Sequence, residues 1–258
     1  MDRKKKFFVW KIMLTVISFS SLIMIRSTFD FSDLRNNYID AVLLREIIYD
    51  LSVGVFSAMV LVWFLDAISE RIKDTLSKER EKCAIRRTDK SLRHYIRRYV
   101  ILFNCVSSPI KRRNSDSSEM TKNFSLSDMR DMHETSLLLN ERLLGSSIES
   151  FLEIELEVRN QFTSILRNID FEYHPVFSEI FLGFVEASLE YECRNHLLEA
   201  DRDLNRKKMA RDLLENHADD YHRQPTPGNI MYPYILLYEM MQRESEVLRR
   251  YKQEIAKL

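Results

Sequence analysis

The chain has 258 residues, no formal net charge at pH 7 and 45% hydrophobic residues, so it is long enough for one or two folded domains. This apolar content excludes a chain that is disordered throughout. Only four glycines and five prolines are present, which predicts few turns and an all-α protein. The same scarcity excludes a P-loop, a dinucleotide fingerprint or another glycine-rich phosphate cradle.

Two apolar segments near the N-terminus have the length of membrane spans, Phe7 to Ile25 and Ile47 to Ile68. A helix needs about 20 such residues to cross the hydrocarbon core of a bilayer. The segments therefore predict a two-helix transmembrane hairpin over residues 1–68, with a short external loop over residues 26–46. A pair of buried core helices is the alternative interpretation.

Basic residues flank the hairpin on one side of the membrane. They are Arg3, Lys4, Lys5 and Lys6 before the first span, and Arg71, Lys73, Lys78, Arg80, Lys82, Arg86 and Arg87 after the second. The positive-inside bias places both termini in the cytoplasm, which predicts a multi-pass protein of the cell inner membrane. A cleaved signal sequence is the alternative for the first span, but no small-x-small cleavage site follows it.

Lipid is the first partner that these charges predict. Cationic side chains near the membrane surface are attracted to anionic headgroups, at about 1 kcal/mol per charge. We expect such contacts from six lysines and arginines: Lys4, Lys5, Lys6, Arg71, Lys73 and Lys78.

Small and charged residues inside the spans indicate helix packing. Gly54 and Ala58 have small-xxx-small spacing with Ser57 beside them, so another backbone can approach this face, either within the hairpin or between protomers of a homo-oligomer. Lys11 and Asp66 lie at similar depth, about 6 Å and about 3 Å inside the cytoplasmic ends of their helices. They form an intramembrane ion pair, or each snorkels separately to the headgroups.

A basic membrane-proximal helix is predicted over residues 69–106. Residues 71–113 contain fourteen Lys and Arg against four Asp and Glu, whereas residues 114–258 contain seventeen basic and twenty-seven acidic residues. The position of the basic stretch beside a membrane favours lipid over nucleic acid, so we do not expect direct nucleic-acid binding. The serine-rich, polar stretch over residues 107–125 predicts a flexible linker.

Residues 126–258 predict a helical bundle in the cytoplasm. Ser127 is expected to cap a helix that ends near Leu144, before a glycine. Ser146 and Glu149 have the spacing of a capping box and open a helix with a continuous apolar stripe. This helix is expected to face the core.

Two further helical segments complete the predicted bundle. Pro175 opens a long segment that extends to His222, nearly apolar at its beginning and highly charged later. Residues 224–233 break the helix. The last helix has an apolar stripe that closes the bundle or pairs with a second copy: Leu237, Met241, Leu248, Tyr251 and Ile255.

No pattern indicates a metal or cofactor site. His217 and His222 bracket two aspartates, but a spacing of five does not place two histidines on one helical face. Cys193 and His196 lie three apart, without a local oxyanion hole. The three cysteines lack CxxC spacing, as in a reducing compartment. We therefore expect no catalytic, cofactor-binding or metal-binding residue, and no enzyme.

A helical ribonuclease of the HEPN type is an alternative function. Its signature, Arg-x(4–6)-His, occurs at Arg87/His94, Arg167/His174 and Arg211/His217. Arginine is so common in this chain that about two matches are expected by chance, so the motif does not discriminate. Arg211/His217 fits a bundle helix best.

The layout resembles small membrane effectors of bacterial anti-phage systems, in particular the two-span effector encoded beside retron reverse transcriptases. The basic start MDRKKK, the hairpin and a helical body of about 190 residues carry this resemblance. It implies abortive infection: a regulatory protein or ribonucleoprotein, such as the retron reverse transcriptase complex, keeps the effector inactive, and infection triggers membrane damage. A non-enzymatic membrane scaffold or signalling protein, using the acidic surface over residues 186–220, is the other alternative.

Overall fold

The computed structural model describes residues 12–13, 15–17, 19–20, 41–113, 119–135, 145–222 and 226–258. Regular structure in these ranges is helical, and one isolated antiparallel bridge joins Thr135 to Ser146. The all-α prediction is confirmed for this part of the chain.

From residue 41 onward the described helical residues form a series of α-helices. In chain order they are α1 (Ala41–Val106), α2 (Ser147–Asn168), α3 (Pro175–Glu190), α4 (Arg194–Arg202), α5 (Leu204–Asn216), α6 (Ala218–His222) and α7 (Tyr232–Ile255). Two short 3-10 helices, Ile110–Arg112 and Leu126–Asp131, precede α2.

The chain divides into two compact units, Met1–Ser77 and Lys78–Leu258, here called the N-terminal and C-terminal units. Among the described residues, one helical stretch, Tyr49–Val106, is long and apolar enough to cross a membrane. Its most apolar window has a mean hydropathy of 2.1 and no buried residue. Most of the first predicted span lies outside the described residues, so the two-span hairpin remains a prediction.

The core of the C-terminal unit is aromatic. The ring centroids of Phe162 and Phe181 are 4.8 Å apart, those of Phe162 and Phe184 are 5.0 Å apart, and Tyr99 lies 5.3 Å from Phe151. These fully or almost fully buried side chains come from α1, α2 and α3. Each aromatic side chain removes a large apolar area from water, which makes this cluster the main stabilising feature of the bundle.

Local sequence signals explain where several helices begin. The Oγ atom of Ser146 accepts a hydrogen bond from the backbone N–H of Glu149 at 3.2 Å, which confirms the predicted cap of α2. Pro175 stands in the first turn of α3, as predicted. Asp203 caps α5 by accepting from the N–H groups of its second and third residues.

Two predicted elements differ from the structure. Ser125, rather than Ser127, caps the next element, with Asp128 completing a capping box, and this element is a 3-10 helix that ends at Asp131. Residues 136–144, where the predicted helix would continue, lie outside the described residues. The long segment that begins at Pro175 is divided into α3, α4, α5 and α6. The carboxylate of Asp203 caps α5, whereas α4 begins without a capping side chain.

Described parts of the predicted linker contribute to the core. Met120 and Phe124 are 5% and 6% exposed, and the ring of Phe124 packs edge-on against Phe103 at 5.5 Å. The side chain of Asn104 holds this segment by accepting from the backbone N–H of Thr121. Isolated apolar residues in a polar stretch have no period, which is why the sequence pattern does not reveal this packing.

Candidate functional site

The first candidate site is the exposed apolar surface of α1 in the N-terminal unit. Leu61, Phe64 and Leu65 are 60%, 65% and 55% exposed. Soluble proteins do not leave a continuous surface of this kind in water. Such a surface is typical of a helix that contacts lipid or another protein.

The small residues of α1 lie on the side of the helix away from the rest of the N-terminal unit's described residues. The ring of Phe56 lies 5.8 Å from that of Phe19, which belongs to the first predicted span. Phe56 is two residues from both Gly54 and Ala58, and two residues in an α-helix correspond to about 200° of rotation. Gly54 and Ala58 therefore face away from this contact, together with the exposed Ser57.

The surroundings of Gly54 agree with this placement. A Cβ atom added at Gly54 would meet no atom within 4 Å among the described residues. The face formed by Gly54, Ser57 and Ala58, here called the small face, is thus open to a backbone from outside this part of the chain.

The predicted charged sites are placed only in part. Asp66 is exposed on α1, and its predicted partner Lys11 lies outside the described residues. Arg71, Lys73 and Lys78 are exposed on α1 beyond the apolar window. The predicted lipid contacts at the N-terminus, Lys4, Lys5 and Lys6, also lie outside the described residues.

The second candidate site is a polar group at the centre of the C-terminal unit. Glu155 of α2 and Glu244 of α7 have no exposed surface. Glu155 accepts hydrogen bonds from the hydroxyl of Ser188 and the guanidinium of Arg194. Glu244 accepts a hydrogen bond from the hydroxyl of Tyr99 at 2.5 Å. Side chains from five helices meet at this point, here called the carboxyl centre.

Burial controls the protonation of the carboxyl centre. Removal from water raises the pKa of Glu244 well above its usual range, and the neighbouring charge of Glu155 raises it further. Burial and the nearby carboxyl of Glu244 likewise raise the pKa of Tyr99 well above its usual range. Burial thus favours the neutral form of both groups.

The sequence patterns miss the carboxyl centre, although a signal for it exists. Glu155 occurs four residues after Phe151 and three before Val158, on the apolar stripe of α2. Glu244 falls in the same way between Met241 and Leu248 on α7. A glutamate at a core position of an apolar stripe indicates a buried, hydrogen-bonded carboxyl.

The histidine and cysteine pairs do not assemble a nucleophilic or metal centre. Burial raises the pKa of Cys193 to about 12, and the charge of Glu192 adds to this effect, whereas His196 is exposed. The thiolate that a nucleophile requires is thus disfavoured. Within the described ranges, no three His, Cys, Asp or Glu side chains are grouped to hold a metal ion.

The arginines and histidines of the ribonuclease signature have structural contacts. Arg211 of α5 pairs with Asp131 at 3.2 Å and with Glu134 at 3.6 Å. The Nδ1 atom of His217 lies 4.0 Å from a carboxylate oxygen of Asp220.

The other two arginine–histidine pairs are placed differently. The Nδ1 atom of His174 lies 2.9 Å from the buried carboxyl of Glu81, while Arg167 is exposed near the end of α2. Arg87 and His94 are both exposed on α1. The contacts and exposure of these residues are those expected at charged surfaces and at the connections between helices.

Comparisons with protein-family models, curated proteins and solved structures find no match for this chain. The function is therefore argued from the two candidate sites and from the charge around them.

Proposed function

We propose that the chain is an inner-membrane effector of a bacterial anti-phage system, of the retron-associated type that its layout resembles. Its N-terminal hairpin spans the membrane twice, with both termini in the cytoplasm. A partner, either a regulatory protein or a ribonucleoprotein, keeps it inactive until infection triggers it. It then perturbs the membrane and stops growth, without acting as an enzyme.

The exposed apolar window of α1 is the observation that carries this proposal. Its mean hydropathy of 2.1 and its complete lack of burial fit a helix whose solvent is lipid. The exposed Arg71 and Lys73 follow the window within a few residues, where anionic headgroups attract cations.

A second observation supports the hairpin. Residues 12–13, 15–17 and 19–20 are helical, and Phe19 contacts Phe56 of α1. This contact fits two spans packed side by side. The first span has basic residues before it and the second has them after it, which favours two cytoplasmic termini.

The small face provides a route to membrane damage. Because Gly54 and Ala58 face away from the first span, they are available to the hairpin of a second copy of this chain. The inactive state keeps the hairpins apart, and release by the partner lets the small faces associate. The assembled helices then disturb the bilayer.

Substitution of the small face tests this mechanism. Gly54→Leu combined with Ala58→Leu fills the face with large side chains, so hairpins can no longer approach closely. We expect the double variant to insert into the membrane but to lose growth arrest in bacteria that express it without a partner. Colony counts after induction and immunoblots of the membrane fraction provide the two measurements.

A matched control adds apolar volume elsewhere on the same helix. Val53 and Val60 are 37% and 50% exposed and lie about a third of a turn from Gly54 and Ala58. Val53→Leu combined with Val60→Leu should arrest growth like the parent chain. Growth arrest of equal strength from the Gly54→Leu, Ala58→Leu variant would rule out the small face as the site of association.

A further inference from the structure

The carboxyl centre has more carboxyl groups than cations to neutralise them. The guanidinium of Arg194 forms an ion pair with Glu155, and the other nearby arginine, Arg159, donates to Ser188 and pairs with Glu192. The hydrogen-bond donor to Glu244 is the neutral hydroxyl of Tyr99. An ionised Glu244 would thus be a fully buried charge without an ion-pair partner of its own among the described residues, which is strongly unfavourable.

One oxygen atom of Glu244 indicates that this carboxyl carries a proton. Its Oε1 is fully buried, and no hydrogen-bond donor from the described residues reaches it. The carboxyl of Glu155 lies within hydrogen-bonding reach of the Glu244 carboxyl. Two carboxylates offer only acceptors to each other, so a hydrogen bond between them requires that one carries a proton.

The contacts of the two glutamates decide which of them is protonated. Glu155 already accepts from Ser188 and from a charged guanidinium, which both stabilise its ionised form. Among the described residues, Glu244 accepts only from Tyr99, and its second oxygen has no donor. A protonated Glu244 satisfies both of its oxygens, because Oε1 then donates to Glu155.

We propose that the carboxyl centre is a proton-binding latch, in which a proton held by Glu244 of α7 joins this helix to Glu155 of α2. Separation of α7 from α2 exposes Glu244 to water, where a carboxyl ionises at neutral pH, so opening of the bundle releases one proton. The closed bundle is favoured at lower pH and weakened as the pH rises. The latch concerns the C-terminal unit alone and is independent of the proposed membrane role.

The groups that face Glu244 allow no other source of compensation. Besides Glu155 they are Tyr99 from α1, Cys193 from the turn before α4 and Arg194 from α4. Tyr99 and Cys193 are neutral, because burial raises the pKa of both groups. Arg194, the single cation in this set, is already paired with Glu155.

Infrared spectroscopy of the full chain in detergent micelles tests the latch directly. At about pH 8 exposed carboxyls are ionised, so a protonated-carboxyl stretching band that persists there reports a buried acid. We expect this band in the parent chain, and its loss in the Glu244→Gln variant. Glu246→Gln, at an exposed position on the same helix, should retain the band and serves as the matched control.

A second measurement tests the coupling between proton and fold. If folding binds one proton, the equilibrium constant for unfolding in urea should rise up to tenfold per pH unit through neutrality. Glu244→Gln keeps the hydrogen bonds of the protonated carboxyl without titrating, so its unfolding constant should lack this dependence. The unfolding constant rises with pH, rather than falling, because the folded state binds more protons than the unfolded state.

Three outcomes would overturn the latch. Absence of the band from the parent chain at about pH 8 would show that both carboxyls are ionised. Loss of the band in a Glu155→Gln variant, together with its retention in Glu244→Gln, would place the proton on the wrong helix. Equal pH dependence of unfolding in the parent and in Glu244→Gln would also contradict the latch.

Discussion

At the residue scale, the three cysteines differ sharply in environment. Cys83 is exposed on α1, whereas Cys105 and Cys193 are buried. Burial also raises the pKa of Cys193 to about 12. Since the thiolate is the reactive form, we expect a maleimide at about pH 8 to label Cys83 alone in the folded chain, and all three cysteines after denaturation. Mass spectrometry of the labelled peptides provides the measurement, and rapid labelling of Cys193 in the folded chain would contradict it.

Single residues also show what the sequence can and cannot predict. Ser146 and Pro175 act through their immediate neighbours, so their positions at the starts of α2 and α3 follow from the sequence. Glu155 and Glu244 are 89 positions apart, and nothing local indicates that they meet. Only their places on apolar stripes suggest that each is buried. The carboxyl centre therefore depends on tertiary packing.

At the element scale, Arg194 joins α4 to α2. It is the first residue of α4, and its guanidinium donates to the carboxyl of Glu155 and to the backbone carbonyl of Leu152. Arg194→Ala would leave a buried carboxylate without its cation, so we expect a loss of about 3 kcal/mol of unfolding free energy. Urea unfolding of the full chain in detergent, followed by circular dichroism, provides the measurement.

The last residue of α4 offers a matched control for this prediction. Arg202 is exposed, and Arg202→Ala should change the unfolding free energy by no more than about 0.5 kcal/mol. Equal losses in the two variants would show that the Arg194 contacts do not join α2 and α4.

The helix breaks between Pro175 and His222 explain why boundaries were harder to predict than helix content. No proline lies between these two residues, so the usual signals for a break are missing. Asp203 provides one break, because its carboxylate accepts from the N–H groups that open α5. This cap is readable in the sequence, but the break before α4 has no capping side chain. At this break, packing fixes the start of α4 and places Arg194 at the carboxyl centre.

At the scale of the whole molecule, the two units differ in whether their apolar side chains are buried within the chain. The C-terminal unit buries its aromatic side chains against one another, as the capping and stripe patterns predict. The described part of the N-terminal unit leaves its apolar side chains exposed. Composition and length predict this exposure, because a run of about 20 apolar residues suits lipid. The identity of the partner is not encoded in such general features.

The central claim is that the N-terminal unit damages the membrane, and a voltage-sensitive dye tests it most directly. Bacteria should be induced to express either the full chain or the chain that starts at Ser69. The account predicts rapid depolarisation by the full chain, because no partner is present to restrain it, and an unchanged potential with the shortened chain. An unchanged potential with the full chain present in the membrane fraction, or equal depolarisation by both chains, would contradict it.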